Sequence, residues 1–521
     1  MASITHHHNK KTGVTYVYSV KSYWDKAKKA PRNRQICIGK LDKATGEVIP
    51  TNRTRKIIER AVAAPGVTAS VRIAGPFMLL NKLSEETGLA DLVRRCFPQQ
   101  HEMIMSLVHF IVHKGLPLSR SESWSTGNLH PMGEFIASQR ISELLQGISE
   151  DARQRFLSLW LTKMTEGDYL CYDITSVSSY SRGNEYVKFG YNRDEEDLPQ
   201  INLAMLFGQK SRLPAYYRRM QGNITDVATL NTTVKSLDFL GADIPMHMIL
   251  DRGFYSQANI NSLFDKRYHF TIAVPSSPKW VKEIIDRHYE SIQSPANYQQ
   301  INDAEALYVV SELQSWGKDK RRAYLHIYFN AQQAAEAFDK FTRQLLAYKQ
   351  EVETQNKKKE HEEYYAQFLI IHNTPKRGLR VSFNDEQIQK HRKRYAGFFA
   401  ILSSKLKNPM DALRIYREKD IVENCFDDLK NAMDMKRLRI HSAAAMDSRL
   451  FLQFLALILM SRIRNTTRED KILRNLTVRE VIEEMETLAR IKYSNRYGQL
   501  YTEVSPIQRQ IIKAFALTLP A

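Results

Sequence analysis

Cysteine is scarce in this chain. Four occur in 521 residues, Cys37, Cys96, Cys171 and Cys425, and none forms a CxxC pair. That excludes zinc ribbons and disulfide frameworks and leaves reduced, packed thiols. Long apolar runs are missing too. The longest, LFLQFLALILM at 450–460, falls well short of the roughly 20 residues that span a bilayer and has the length of a buried core helix. No secretory signal follows MASIT, so a cytoplasmic setting is expected. His6 to His8 have no acidic neighbours and make a weak metal site. No internal repeat recurs, which excludes a solenoid. Acid is the minority charge: 57 Asp and Glu stand against 76 Lys and Arg, a net charge of +19. Such an excess points to an extended polyanion, nucleic acid first and an anionic membrane second. No helix with a basic polar face supports the membrane.

Texture divides the chain. Residues 13–50 alternate apolar and polar (GVTYVYSVKSYW, RQICIGKLDKATGEVIP), predicting a small β module over 1–53 with a turn at Thr45-Gly46 and a basic loop, KAKKAPRNR. Residues 54–165 carry apolar side chains at spacings of three and four, as helices do. From 166 to 277 the order reads three strands, helix, strand, helix, strand, an α/β arrangement. Residues 278–395 interrupt that order with strands, a long charged helix from about 331 to 364 and the basic run KHRKR. They are too long for a loop and read as an inserted β-rich/α subdomain. Residues 396–465 resume the strand texture and end in the apolar helix 447–463, and 466–521 form a polar helical tail.

The stretch IYREKDIVENCFDDLKNAM at 415–433 concentrates charge. At about 100° per residue, Ile415, Val422, Phe426, Leu429 and Met433 form a buried stripe. Tyr416, Lys419, Glu423 and Lys430 form a second stripe beside it, and Glu418, Asp427 and Asp428 lie elsewhere, most of the remaining acids facing outward. A carboxylate placed like Glu423 is either a structural ion pair or a metal ligand. Two further acids bear on that choice. Asp173 lies among apolar neighbours in the strand LCYDITS, where Asp is a poor strand former. Asp251 ends the strand MHMILD just before RGFYS, and α/β sheets bind ligands at strand ends. Three converging carboxylates without His or Cys favour a hard ion, Mg²⁺ or Mn²⁺.

In order and context these motifs resemble the insertion-sequence DDE transposases, whose core is ribonuclease H-like, and in particular the group with a Tyr-x2-Arg-x3-Glu-x6-Lys signature. That spacing lands on Tyr416, Lys419, Glu423 and Lys430. The adjacent letters YREK at 416–419 mislead: only Tyr416 keeps its signature role there, and Glu418 is the wrong glutamate. YDITS and DRGFYS resemble the two aspartate motifs, and GNITD at 222–226 resembles the turn before the second. The resemblance covers about 165–465, and RQICIGKLDKATGEVIP resembles the opening domain of a long-chain subgroup. One position departs: Lys419 stands where the signature has Arg, giving a point charge instead of a planar fork. Arg417 is the alternative basic partner.

The resemblance implies a metal-dependent DNA transposase. Asp173, Asp251 and Glu423 are then the catalytic, metal-holding acids for two Mg²⁺ ions, with Mn²⁺ as a substitute. Tyr416, Lys419, Lys430, Arg252 and Arg417 contact DNA, and Asn223 and Asp226 order a turn. Trp280 or Trp316 offers a stacking surface for a flipped base. Residues 54–165 take part in DNA binding. Double-stranded DNA, both element ends and target, is the partner, and a homodimer pairs the two ends. The alternatives are a metal-dependent nuclease of the same fold and a non-catalytic DNA-binding protein of transposase descent.

Overall fold

A computed structural model describes residues 3–25, 30–43, 45–50, 69–165, 168–181, 183–239, 246–303, 305–375, 378–392, 395–433, 435–493 and 498–518. The chain divides into two compact units, one of residues 1–71 with 490–502, the other of 72–489 with 503–521.

The first unit contains an antiparallel four-stranded sheet of Ser3–Asn9, Val14–Asp25, Ala30–Leu41 and Val48–Ile49 in that order. The turn expected at Thr45-Gly46 is present: Gly46 has φ +71°, which glycine adopts without strain, and its N–H reaches Asp42 O at 3.0 Å. Lys26 to Lys29 of the basic loop, Lys393 and Arg394 of the basic run KHRKR, and the opening of the helical region through Thr68 all lie outside the described residues.

The second unit is built on one mixed sheet. β1 (Tyr169–Ser179), β2 (Gln200–Gly208) and β3 (Pro214–Gln221) run antiparallel, and α1 (Asp226–Phe239) leads to β4 (His247–Leu250). α2 (Gln257–Asp265) leads to β5 (His269–Val274). β4 is parallel to both β1 and β5, so these strands stand in the order β3-β2-β1-β4-β5. Their order along the chain is the one expected from the sequence. β1 and β2 are buried on both faces, as the near-continuous apolar sequence of β2 requires.

The span 278–395 does two things. β6 (Tyr298–Asn302), β7 (Glu305–Trp316) and β8 (Arg321–Phe329) extend the same sheet, with β9 (Phe398–Ser403) lying between β8 and β5. The remainder builds its own small core, in which Leu345, Tyr348, Val352, Phe368 and Val381 pack together. The charged helix ends at Glu353, short of the expected 364, where Gln355 turns to φ +59°. The tail departs from an all-helical expectation, since Ala489–Tyr493 and Gln499–Tyr501 pair as a hairpin.

After β9, α3 (Pro409–Arg417) starts on the Asn408 side chain, which accepts from the N–H groups of Met410 and Asp411. A 3-10 turn (Glu418–Asp420), α4 (Ile421–Asp427) and a π-turn (Asp428–Ala432) follow. α5 (Ala443–Glu469) is long and apolar enough to cross a membrane by length and composition, yet 78% of its apolar window is buried inside the protein. The buried helix His101–Lys114 packs along it, so the helices of 72–165 form a layer on the core.

Five histidines are buried among the described residues: His109, His113, His130, His247 and His326. Burial pushes His109 and His247 down to about 3 and His113 and His326 down to about 4. A histidine whose folded pKa lies below its unfolded value stabilises the fold above about pH 6.5, and that stability is lost as pH falls. Thermal stability is expected to fall steeply between about pH 6.5 and 4.5, by about 2 kcal/mol per histidine. Neither ring nitrogen of His109 has a hydrogen-bond partner among the described residues, so His109→Leu should show a shallower fall. An unchanged pH profile in that variant would count against this account.

Candidate active site

Strand register brings the two aspartates together. Tyr172 stands opposite Leu250 in the parallel β1–β4 pair, so Asp173 and Asp251 follow at the next position on neighbouring strands, about 5 Å apart along the sheet. Both point to one face. On that face Asp173 stands across from Met205 of β2, whose sulfur lies 3.3 Å from Cys425 Sγ of α4. The opposite face is closed by α1, where the Tyr172 hydroxyl meets Thr233 Oγ1 at 3.1 Å. The acids therefore open toward the helical segment 409–427.

That segment carries the second stripe. The Tyr416 hydroxyl donates to Asp251 Oδ1 at 2.6 Å, and Lys419 Nζ lies 3.9 Å from the same oxygen. Lys419 also lies 5.7 Å from the centroid of the Tyr416 ring. Glu423 follows Lys419 by four residues, hence one turn along the same face. It is exposed, and among the described residues no ion pair or hydrogen bond holds its carboxylate. Of the two uses weighed for Glu423, the structural ion pair is not formed. The buried stripe is as expected: Ile415, Val422, Phe426, Leu429 and Met433 are all buried.

The two aspartates differ electrostatically. Burial pushes Asp173 up to about 6, against the Ile174 N–H and the charges of Arg193 and Lys419, and Asp251 adds to the rise. Burial also acts upward on Asp251, but the Tyr416 hydroxyl, the Arg252 N–H and the charges of Lys419 and Arg252 outweigh it and hold that carboxyl below its ordinary value. The Tyr416 phenol is raised by burial and by its bond to Asp251. Two neighbouring carboxyls with pKa values driven apart in a partly open site make this the candidate active site.

Asp173 has a measurable consequence. Its folded pKa of about 6 exceeds the ordinary aspartate value of about 3.8, so the fold is most stable where the acid keeps its proton. That stability is lost as pH rises from about 4 to 6, at a cost of about 3 kcal/mol by pH 7. Without divalent metal, Asp173→Asn is expected to raise the Tm at pH 7.5 by about 2–5 °C and to leave it unchanged near pH 4. A lower Tm at pH 7.5 would contradict the burial argument.

The other expected residues are dispersed. Arg417 forms a two-pronged ion pair with Glu305 of β7, 2.8 Å at its Nη1, so Lys419 is the basic residue at Asp251. Lys430 Nζ is held by both oxygens of Asp194, at 2.7 and 2.8 Å. Arg252 is exposed beside Asp251. Asn223 is exposed, while Asp226 opens α1 and accepts from Arg193 at 2.6 Å. Trp280 and Trp316 meet edge to face, 5.8 Å between ring centroids; Trp280 donates to the Tyr255 hydroxyl and Trp316 to Asn261. Tyr255 belongs to the DRGFYS motif, which ties this aromatic pair to the loop after Asp251.

Asp428 overturns an expectation. Placed outward by helical angle, it is buried and gripped by both terminal nitrogens of Arg464 on α5. The π-turn begins at this residue. Nothing local in the sequence signals a partner 36 residues away. Arg193 and Asp194 were likewise missed, because the loop before β2 offers no periodicity.

Among the described residues no three His, Cys, Asp or Glu side chains gather into a group that could hold a metal ion, so the structure brings Asp173 and Asp251 together but does not bring Glu423 onto the same point. Asp173 and Asp251 offer only oxygen donors, the chemistry that a hard divalent ion takes, and Glu423 on the facing segment would add a third.

No curated protein matches the chain. Among solved structures, the piggyBac transposase synaptic complex with hairpin DNA is 10% identical, with 79% of this chain and 77% of that chain covered at a TM-score of 0.35. The Mos1 transposase paired-end complex with left transposon end is 12% identical, with 44% and 69% covered at a TM-score of 0.15. Neither likeness is close enough to carry weight. The transposase DDE domain family matches residues 165–459. That span holds both aspartates, Glu423 and most of α5, and covers more than half of the chain, which therefore belongs to the DDE transposase family.

Proposed function

We propose that this protein cuts double-stranded DNA at the ends of a mobile element and joins the freed ends to target DNA. The observation that carries the reading is the convergence of Asp173 and Asp251, side by side on β1 and β4, beneath the helical segment that presents an unpaired Glu423. The strand order β3-β2-β1-β4-β5, in which β2 alone of the five runs antiparallel to the others, supports a ribonuclease H-like core.

Asp173, Asp251 and Glu423 would hold divalent ions, Mg²⁺ or Mn²⁺. Such ions, when bound, lower the pKa of the attacking water and stabilise charge on the leaving oxygen. Tyr416 fixes the rotamer of Asp251 by donating to one of its oxygens. Lys419 balances the acids in the free protein and is placed to turn to a DNA phosphate. Arg252 lies open beside them for the same backbone. Lys430 keeps Asp194 and the loop before β2 against the helical segment, and it reaches DNA only by giving up that pair. Trp280 and Trp316 form a stacking surface for an unpaired base next to the Asp251 loop. Two ends joined in one reaction call for a dimer on DNA in the cytoplasm.

The test uses end-labelled duplexes carrying the sequences that flank this gene, with full-length protein and Mg²⁺, resolved on a denaturing gel. Expected are cuts at the element end that leave 3′-hydroxyls, and joined products with target DNA. Cutting without joining would reduce the reading to a nuclease. A gel shift without cutting, in Mn²⁺ as well, would overturn it in favour of a binding protein.

A further inference from the structure

We infer that the outer edge of the central sheet carries a second anion site, separate from the carboxylates, that takes a phosphate group. β3 is the terminal strand of the sheet, two strands from Asp173. Along it lies a pocket of about 600 Å³ bordered by the helix Glu150–Thr165, α1, the start of α5 and Tyr186. Four cations line it, Arg153, Arg218, Arg219 and Lys235, against two acids, Glu150 and Asp447.

The strand geometry explains the concentration. Arg218 and Arg219 are consecutive, so they lie on opposite faces and wrap the edge with charge. Arg219 shares the face of Tyr217, whose ring packs on Phe454 of α5. Its guanidinium sits 3.4 Å from the Tyr186 ring centroid and its Nε lies 2.7 Å from Asp447 Oδ1. Arg153 reaches the same carboxylate at 3.7 Å. One acid thus serves two guanidiniums. Arg218 has the Tyr216 hydroxyl beside it, and exposed Lys235 faces the pocket from α1.

Donors are left over. Arg153 Nε, Arg218 Nε and Arg219 Nη1 are buried without a hydrogen-bond partner among the described residues. Buried guanidinium N–H groups left unmatched are costly. A tetrahedral oxyanion with several acceptor oxygens suits convergent Arg forks better than a single carboxylate does. The phosphate belongs either to the DNA backbone or to a free phosphate or nucleotide.

The experiment compares full-length wild type with Arg218→Gln/Lys235→Gln, which leaves the Asp447 pairs intact, and with Lys235→Glu, an exposed change that leaves folding untouched. Anisotropy on a duplex of about 40 base pairs without metal should show about 5–10-fold weaker binding in the double variant. The slope of log K against log salt should fall by about one to two. Inorganic phosphate and a nucleoside monophosphate, against chloride of equal ionic strength, should raise the Tm of wild type and not of the double variant. A DNA effect alone assigns the backbone as the source, and a Tm effect alone assigns free phosphate. Unchanged DNA affinity, unchanged slope and equal Tm shifts in all three proteins would overturn the site. Asp251→Asn, which removes cutting in the proposed function, should keep both binding readouts, so failure of one idea is distinguishable from failure of the other.

Discussion

Glu423→Gln is expected to lower end cleavage by on the order of 10³-fold, about 4 kcal/mol at the barrier, whereas Glu418→Gln is expected to stay within about twofold of wild type. The contrast rests on position. Glu418 begins the 3-10 turn, is exposed, and has Arg414 3.9 Å away on the outer side. Exposed pairs of that kind contribute little. Glu423 stands one turn beyond Lys419, which itself reaches Asp251, and no partner among the described residues competes for its carboxylate. Gln keeps the size and loses the charge, so folding should be unaffected and circular dichroism should not change. Gel-based cleavage rates decide the matter. An inactive Glu418→Gln beside an active Glu423→Gln would reverse the assignment of the helix.

Asp428→Ala should destabilise the protein by about 3–5 kcal/mol, because it leaves the Arg464 guanidinium without its buried partner. Burial raises the Asp428 pKa despite the opposing pull of Arg464, so the pair survives through geometry and not through favourable solvation. It ties the π-turn after α4 to the core helix α5. Loss of the tie should loosen α4 and reduce cleavage along with stability. The double variant Asp428→Ala/Arg464→Leu should recover much of the loss, since removing both charges leaves neither unpaired. Denaturant unfolding of the two singles and the double measures the coupling. A loss below about 1 kcal/mol in Asp428→Ala would show the pair to be incidental.

These two residues also mark how far the sequence reads. Asp173 and Asp251 were legible because an acid inside or just after an apolar strand is locally anomalous. The buried stripe from Ile415 to Met433 was legible because helical periodicity carries it through the 3-10 and π turns with little drift. The helical segment above the two acids followed from the same angle, since Tyr416 and Lys419 both reach Asp251. Asp428 was not legible, because its burial depends on an arginine on another helix and angle alone sends it to solvent. Lys430 fell in the predicted stripe, but its engagement by Asp194 is a contact across 236 residues. The alternation in 298–329 announces strands without saying which sheet they join. β6 to β8 extend the central sheet because β9 offers β8 a free edge, a fact of topology and not of local pattern.

The most direct test of the central claim is the uptake of Mn²⁺ by full-length protein with an element-end duplex, followed by the loss of the free-ion electron paramagnetic resonance signal. Wild type and Glu418→Gln are expected to sequester the ion, and Asp173→Asn/Asp251→Asn to lose that uptake while still binding the duplex. Equal Mn²⁺ uptake by all three proteins would contradict the assignment of the paired aspartates as the metal-holding centre.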